Sequence, residues 1–322
     1  SPMVTPERFR LYRVQPDESL LSQSRRVIDY LTKRDALLIT GTCSLVERFR
    51  NQQETRGEVG ESCATAYLIR LAHHLLQLEG DTLYGDLMER AIYNALFAAQ
   101  SPDGRSLRYY TAIDGPRKYY DRDTYCCPNN WRRIVAELPE MVFLRRGSAA
   151  RGAMVNLYTP ATGEVPIGPD LSVRLRQVTD YPNSGQVTIE VTPSRPAAFP
   201  VTLRIPRWCE SADVTVNGQA WGEPVEPGRW YSIQRQWRDG DQIAMDMPMP
   251  VRLVSGCKLQ TGKVAVMRGP VVFCLSPARQ AARHPEYAGH GANPDEIQHS
   301  LEEVLNRTKI DWSTLGPIVP DD

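Results

Sequence analysis

The sequence lacks an excess of charge of either sign, and it lacks any long apolar run. Its 38 Lys and Arg residues balance 38 Asp and Glu residues, and like charges form no block, so neither nucleic acid nor an acidic membrane is expected as a partner. No apolar stretch approaches the roughly 20 residues that a membrane span requires. Residues 1–5 also lack the charged and apolar regions of a signal peptide. We therefore expect a small or neutral partner, with no nucleic acid and no membrane.

Histidine is scarce, and cysteine occurs in an odd number. The five histidines lie in a helical pattern or in the irregular C-terminal region, so none is expected to bind a metal. The seven cysteines are spread over very different regions, which suits free or metal-bound thiols better than a disulfide framework. Four of them have no neighbouring ligand residues and are expected to be structural: Cys43, Cys209, Cys257 and Cys274.

The hydrophobic pattern changes once along the chain, near residue 150. Before this point apolar residues recur at helical spacing, as in residues 67–78, and after it they alternate with polar residues, as in residues 187–191. The length of 322 residues suits roughly two domains. We therefore predict an α + β architecture, with a helical domain over residues 1–150. An antiparallel β-sandwich with an irregular C-terminal tail should follow over residues 151–322.

Two short motifs hold the residues with the most chemistry, and each lies at the start of a predicted helix. In the first, Glu61 and Cys63 are two residues apart, so they can reach one ion only if the chain is extended or turning as it enters the helix. In the second, Cys126 and Cys127 precede Pro128, which favours an extended Cys127 and starts the next helix. The dipole at a helix N-terminus favours the thiolate form of both cysteines.

These side chains admit more than one interpretation. One carboxylate and three thiols make up a coordination shell for Zn²⁺. The same atoms could instead form a nucleophile and its activator. The cysteines could also be small buried hydrophobic residues, or Cys126 and Cys127 could form a vicinal disulfide across a distorted peptide link. A redox dithiol is disfavoured because the two thiols lack the two-residue spacer of thioredoxin-like motifs.

Five segments together resemble glycoside hydrolase family 127, the β-L-arabinofuranosidase family. The order of the five is kept, and the combination of Glu-x-Cys with Cys-Cys-Pro is the most specific part of the similarity. The resemblance implies a retaining exo-glycosidase with an α/α barrel, a zinc ion held by one Glu and three Cys, and one of those Cys as the nucleophile. The segments are residues 60–65, 84–94, 125–129, 203–208 and 267–275.

The resemblance assigns roles residue by residue. Cys126 matches the nucleophile, and zinc would be held by Glu61, Cys63, Cys126 and Cys127. The acid/base glutamate of the family matches Glu47, within Val46-Glu47-Arg48-Phe49, with Glu54 and Glu58 as rivals. Tyr109 and Tyr110, which follow Arg108, resemble a stretch of the family that lies near the sugar.

The chain departs from the family in the length of its helical part. A complete barrel of the six-hairpin type needs roughly a dozen helices in its helical layers. Only four or five helical patterns precede residue 150, so we expect a partial α/α barrel. The chain would be either a fragment of a longer enzyme, or a shortened relative whose barrel stays open or is completed by another chain. Its exposed apolar wall would favour a homo-oligomer.

Two functions follow from these observations. The first is hydrolysis of a terminal furanoside such as β-L-arabinofuranose, with carbohydrate as the partner and Zn²⁺ as the cofactor. The alternative is a noncatalytic fragment or carbohydrate-binding relative in which the zinc site is structural. A closed shell of one Glu and three Cys suits a structural zinc as well, so the ligand set alone does not separate the two.

Overall fold

The structure, a computed structural model, describes residues 6–43, 48–115, 117–120, 125–147, 151–222, 224–274 and 318–319. Its N-terminal part is helical and strands follow, mostly in antiparallel pairs, so the predicted α + β architecture is confirmed. The domain boundary at residue 150 stays a prediction. The predicted C-terminal tail lies almost wholly outside the described residues. The α-helices are α1 (Pro6–Val14), α2 (Glu18–Lys33), α3 (Ser62–Glu79), α4 (Thr82–Ala91) and α5 (Cys126–Glu137).

Local signals explain where these helices begin and end. The carboxylate of Asp17 accepts the backbone N–H of Ser19 at 2.8 Å and so caps α2. Helix α3 ends at Gly80, which adopts the left-handed conformation with φ of 72° and donates its N–H to the carbonyl of Leu76. A π-helical turn over Ile92–Leu96 continues α4. Helix α3 packs against both α4 and α5, so it forms the centre of the helical core.

The strands form three sheets within the described ranges. Their orders are β1-β2-β6-β9, β3-β4-β5-β10-β7-β8 and β13-β12-β11-β14; only β2–β6 and β11–β14 pair in parallel among the described residues. Several of these strands have only two to four residues, too few for an alternating sequence pattern to be recognised. The bounds are β1 Phe143–Arg146, β2 Gly152–Val155, β3 Ala161–Gly168, β4 Leu171–Thr179, β5 Gln186–Pro193, β6 Ala197–Arg204, β7 Asp213–Val216, β8 Gln219–Ala220, β9 Trp230–Trp237, β10 Asp241–Asp246, β11 Val251–Ser255, β12 Val264–Arg268, β13 Val271–Val272 and β14 Ile318–Val319.

A buried ionic cluster joins helix α4 to the end of strand β6. The side chain of Arg204 is fully buried and pairs with the carboxylates of Asp86 and Glu89, the latter at 2.7 Å. Glu89 also accepts hydrogen bonds from the indole of Trp208 at 3.1 Å and the hydroxyl of Tyr181 at 2.7 Å. The cluster unites two of the five segments that carry the family resemblance, and it fixes the helical part against the sheets.

A second contact brings in the last of those segments. The side-chain amide of Asn94 donates to the carbonyl of Pro270 at 2.8 Å and accepts the backbone N–H of Val272 at 2.7 Å. Because an amide that bonds in both directions fixes its neighbour in position and orientation, Asn94 docks strand β13 against the turn after α4. Three separated segments therefore meet where the helical and β-rich parts join.

Candidate metal and catalytic site

The start of helix α3 is held by a short backbone pairing. The carbonyl of Gly60 accepts the N–H of Thr111, and the N–H of Ser62 donates to the carbonyl of Tyr109, both at 2.9 Å. Glu61 lies between them, paired with Tyr110, in an extended conformation at the N-cap of α3. This conformation lets Glu61 point to the same side as Cys63, two residues later.

Gly60 is required at this turn for two reasons. Its φ of +68° lies in the left-handed region, which side chains rarely adopt. A Cβ atom there would also lie 2.6 Å from Oγ1 of Thr111 and 2.9 Å from Cγ2 of Thr42. The turn that aims Glu61 therefore depends on a residue with no side chain.

Helix α5 brings the second cysteine pair to the same place. The sequence predicted that the helix starts after Cys127, but α5 begins at Cys126, with Tyr125 as an extended N-cap. Pro128 is accommodated because it lies in the first turn, where its missing N–H would have no helical acceptor. Both cysteines therefore belong to the first turn of α5.

The three sulfurs form one cluster beside a buried carboxylate. The Sγ atoms of Cys63, Cys126 and Cys127 all lie within 4.8 Å of one another, and those of Cys63 and Cys127 are 3.3 Å apart. Oε1 of Glu61 lies 3.8 Å from Sγ of Cys127. Glu61, Cys63 and Cys127 are buried, whereas Cys126 is exposed. Within the part of the chain that the structure describes, this is the one group of three potential ligands so arranged.

These distances fit a metal ion. Zinc–sulfur bonds of about 2.3 Å in a tetrahedron place neighbouring sulfurs roughly 3.8 Å apart, within the spread seen here. Three soft thiolates and one carboxylate are also ligands that suit zinc. The cysteine cluster could therefore bind a metal.

Hydrogen bonds make the sulfurs unequal. The thiol of Cys127 donates to Sγ of Cys63, and this contact, aided by Nδ2 of Asn130 at 3.1 Å, lowers the pKa of Cys63 to about 7. The same contact raises the pKa of Cys127, and burial adds to the effect. Of the two thiols, that of Cys63 is therefore the one that loses its proton at lower pH.

A cluster of tyrosine rings, centred on Tyr109, adjoins the exposed sulfur. The hydroxyl of Tyr109 lies 3.6 Å from Sγ of Cys126, and burial raises the pKa of this tyrosine. The Tyr109 ring contacts those of Tyr110, Tyr120 and Tyr125 at centroid distances of 4.6, 5.5 and 5.8 Å. Sequence reasoning singled out Tyr109 and Tyr110 and missed Tyr120 and Tyr125, although Tyr125 directly precedes Cys126.

Two of the three acid/base candidates lie within the described residues. Glu47 lies outside the described residues. Glu54 is half-buried and Glu58 is exposed. Among the described residues, no hydrogen bond or ion pair joins either of these two to the cysteine cluster.

Arg108 adjoins the site without a carboxylate partner among the described residues. Its guanidinium is buried and donates to the carbonyl of Ala112 at 3.2 Å, while its Nε has no acceptor there. Burial and the nearby Arg117 lower its pKa. Its backbone carbonyl accepts the hydroxyl of Ser62, which ties this segment to the start of α3.

The remaining cysteines take no part in the cluster. Cys43 and Cys209 are buried, whereas Cys257 and Cys274 are exposed. Burial raises the pKa of Cys43 and of Cys209 to about 12, so both are inert thiols at neutral pH.

None of the described helices is long and apolar enough to span a bilayer.

Comparisons with known proteins identify what the chain resembles. A profile described as "Beta-L-arabinofuranosidase, GH127 catalytic domain" matches residues 3–140, and one described as "Beta-L-arabinofuranosidase, GH127 middle domain" matches residues 152–249. A non-reducing end β-L-arabinofuranosidase from Bifidobacterium longum subsp. longum is 27% identical over 290 residues, which are 81% of this chain and 43% of that protein.

Solved structures give the same result. The crystal structure of a β-L-arabinofuranosidase of family GH127 from Geobacillus stearothermophilus T6 is 29% identical, with a TM-score of 0.74, over 84% of this chain and 46% of that one. A second GH127 β-arabinofuranosidase structure is 27% identical, also with a TM-score of 0.74, over 82% of this chain and 45% of that one. The chain thus spans less than half the length of these relatives, and its helical part corresponds to a fragment of the catalytic barrel.

Proposed function

Because the chain belongs to glycoside hydrolase family 127, we propose that it is a retaining exo-glycosidase that hydrolyses a terminal furanoside such as β-L-arabinofuranose. The observation that carries the proposal is the position of Cys126. Its sulfur is the exposed member of an otherwise buried cluster of thiols, and it lies beside the hydroxyl of Tyr109. A nucleophile must be accessible to the substrate, and of the three clustered thiols only that of Cys126 is exposed.

We propose that Glu61, Cys63, Cys126 and Cys127 hold Zn²⁺. The spacing of the three sulfurs and the buried carboxylate beside them support this assignment. When bound, zinc would keep Cys126 deprotonated at neutral pH and moderate the basicity of its sulfur, so that the sulfur can also depart from carbon. The turn at Gly60 and the first turn of α5 hold the ligands in place.

In the proposed reaction, Cys126 acts as the nucleophile and Glu47 transfers the protons. Sγ of Cys126 attacks the anomeric carbon and forms a C–S bond, while the glycosidic C–O bond breaks and Glu47 gives its proton to the departing oxygen. Glu47, now a carboxylate, takes a proton from water. The resulting hydroxide attacks the same carbon, the C–S bond breaks, and Cys126 returns to its thiolate. Two inversions at one carbon give retention of configuration.

The surrounding residues would bind and orient the sugar. Tyr109 and Tyr110 are proposed to contact the furanose, because aromatic rings commonly line small-ligand sites beside a few polar groups. We also propose that residues 1–150 form the catalytic domain and that residues 151–322 support it. The buried contacts of Arg204 with Asp86 and Glu89 would fix the two parts together.

A homo-oligomer is proposed for the partial barrel. Several large apolar side chains of the helical part are exposed, and a second copy of the chain would cover such a surface. Sedimentation equilibrium should then give a mass above 36.3 kDa, whereas a monomer at high concentration would contradict this part of the proposal. The exposed side chains include Leu11, Val14, Tyr67 and Phe97.

A noncatalytic protein with a structural zinc is the second candidate. It is favoured by one observation, that one carboxylate and three thiols lie together and would complete a closed zinc shell of the structural kind. Hydrolysis of 4-nitrophenyl β-L-arabinofuranoside by the metal-loaded protein separates the two. We expect turnover that Cys126→Ser abolishes and that Cys274→Ser, which changes an exposed thiol outside the cluster, leaves unchanged. Zinc retention without any turnover would instead favour the noncatalytic candidate.

A further inference from the structure

Asn130 is a buried residue beside the cysteine cluster. Only one end of its side-chain amide has a hydrogen-bond partner among the described residues. It is 6% exposed, and its Nδ2 lies 3.1 Å from Sγ of Cys63. Its Oδ1 is buried and has no hydrogen-bond partner among the described residues. Asn130 follows Cys127 by three residues on α5, so the turn that delivers two thiols also delivers this amide to the same helix face.

The direction of this hydrogen bond identifies the acceptor. The amide nitrogen donates and the amide oxygen accepts, so a nitrogen facing sulfur requires Cys63 to be the acceptor. A thiolate accepts such a bond more strongly than a thiol, because hydrogen bonds to charged groups are the stronger ones. The amide of Asn130 is thus oriented with its nitrogen towards Cys63, although its buried oxygen has no partner among the described residues.

We propose that Asn130 is a positioning residue that holds Cys63 as the anchoring thiolate of the metal and leaves Cys126 as the sulfur that reacts. The part of this inference that concerns the reactivity of Cys126 rests on the proposed function. Cys63 is buried and receives two donors, Cys127 and Asn130. Cys126 is exposed, and the hydroxyl of Tyr109 lies 3.6 Å from its sulfur. A donor at one sulfur lowers that sulfur's basicity and so concentrates nucleophilic character on the other.

The test replaces Asn130 by leucine, whose side chain branches at the same carbon but has no donor. Zinc affinity is measured by competition with a chromophoric chelator, and the cobalt form is examined for its sulfur-to-metal charge-transfer bands. We expect zinc binding to weaken by about 10- to 100-fold, as for other groups that orient metal ligands, and the cobalt bands to shift. Asn129→Leu is the matched control, since Asn129 is the exposed neighbour on the same turn, and should change affinity by less than about twofold.

A role limited to folding predicts a different pattern. Leucine removes the buried Oδ1, so the urea midpoint of the metal-free Asn130→Leu protein should stay the same or rise while its metal affinity falls. Unchanged zinc affinity in the folded variant, or an equal loss in Asn129→Leu, would overturn the proposal. Asn130→Ala, which needs no extra space, should show the same loss; if neither variant folds without metal, the role is structural and the proposal fails.

The affinity measurement does not depend on catalysis, so the two proposals can fail separately. Absence of turnover in the wild-type protein counts against the proposed function alone. If the wild-type protein is active, zinc-saturated Asn130→Leu should lose kcat with KM nearly unchanged. A loss confined to KM would contradict the division of roles between Cys63 and Cys126.

Discussion

Removal of the buried guanidinium of Arg204 should be among the most destabilising single changes in the chain. The side chain is fully buried, pairs with Asp86 and Glu89, and donates its Nε–H to the carbonyl of Asn156 at 2.7 Å. Arg204→Met keeps much of the apolar volume but leaves the buried Glu89 without its cation and leaves Asp86 with its contact to Arg207. Breaking a buried ion pair from one side is destabilising by about 3–5 kcal/mol.

Urea unfolding followed by circular dichroism measures this loss. With a urea m-value of about 2–3 kcal/mol per M, a change of about 3–5 kcal/mol lowers the midpoint by about 1–2.5 M. Arg207→Met is the control: Arg207 contacts Asp86 at 2.8 Å, but its side chain is 45% exposed, and such pairs contribute only about 0–1 kcal/mol. A loss below about 1 kcal/mol for Arg204→Met, or equal losses for both variants, would refute the view that this cluster fixes the helical part to the sheets.

Three further predictions concern the site. Gly60→Ala should destabilise the protein by about 1–3 kcal/mol and weaken zinc binding, because of the positive φ and the close approach of Thr111; calorimetry with and without zinc checks this, and an unchanged Tm would contradict it. Glu47→Gln should lose hydrolysis of the aryl arabinofuranoside while one zinc per chain remains bound; full activity would return the acid/base role to Glu54 or Glu58. In the metal-free protein, thiolate absorbance at 240 nm should appear with a midpoint near pH 7 and vanish in Cys63→Ser. Because the folded-state pKa of Cys63 is depressed, its stabilising contribution should be present above pH 9 and be lost as pH falls through about 7, and a midpoint near 9 would contradict the assigned hydrogen bonds.

The sequence indicated the chemistry of the site more fully than its surroundings. The spacing of Glu61 from Cys63 predicted an extended approach to a helix, and the structure has Glu61 in that conformation at the N-cap of α3. The start of α5 was misplaced by one or two residues, because Pro128 was taken as the first helical residue although proline is accommodated anywhere in the first turn. The helical spacing of Asn130 from Cys127 was visible, but its acceptor, Cys63, lies on another helix and only the fold brings them together.

The interface between the two parts of the chain was beyond sequence reasoning. Arginine and glutamate are mostly exposed, so nothing local marks Arg204 and Glu89 as buried. Their burial depends on partners 115 residues away along the chain. Likewise, Tyr120 and Tyr125 are read as loop residues until their rings are found packed against Tyr109.

The central claim is that Cys126 attacks the sugar, and mass spectrometry of the digested protein tests it most directly. The metal-loaded protein would be mixed with an aryl β-L-arabinofuranoside that has a fast leaving group, quenched in acid and digested. The account predicts one added anhydropentose unit on the peptide that contains Cys126 and Cys127. Fragmentation of that peptide should assign the unit to Cys126, and Cys126→Ser should carry no adduct. Hydrolysis without an adduct at Cys126, or an adduct on a carboxylate, would contradict it.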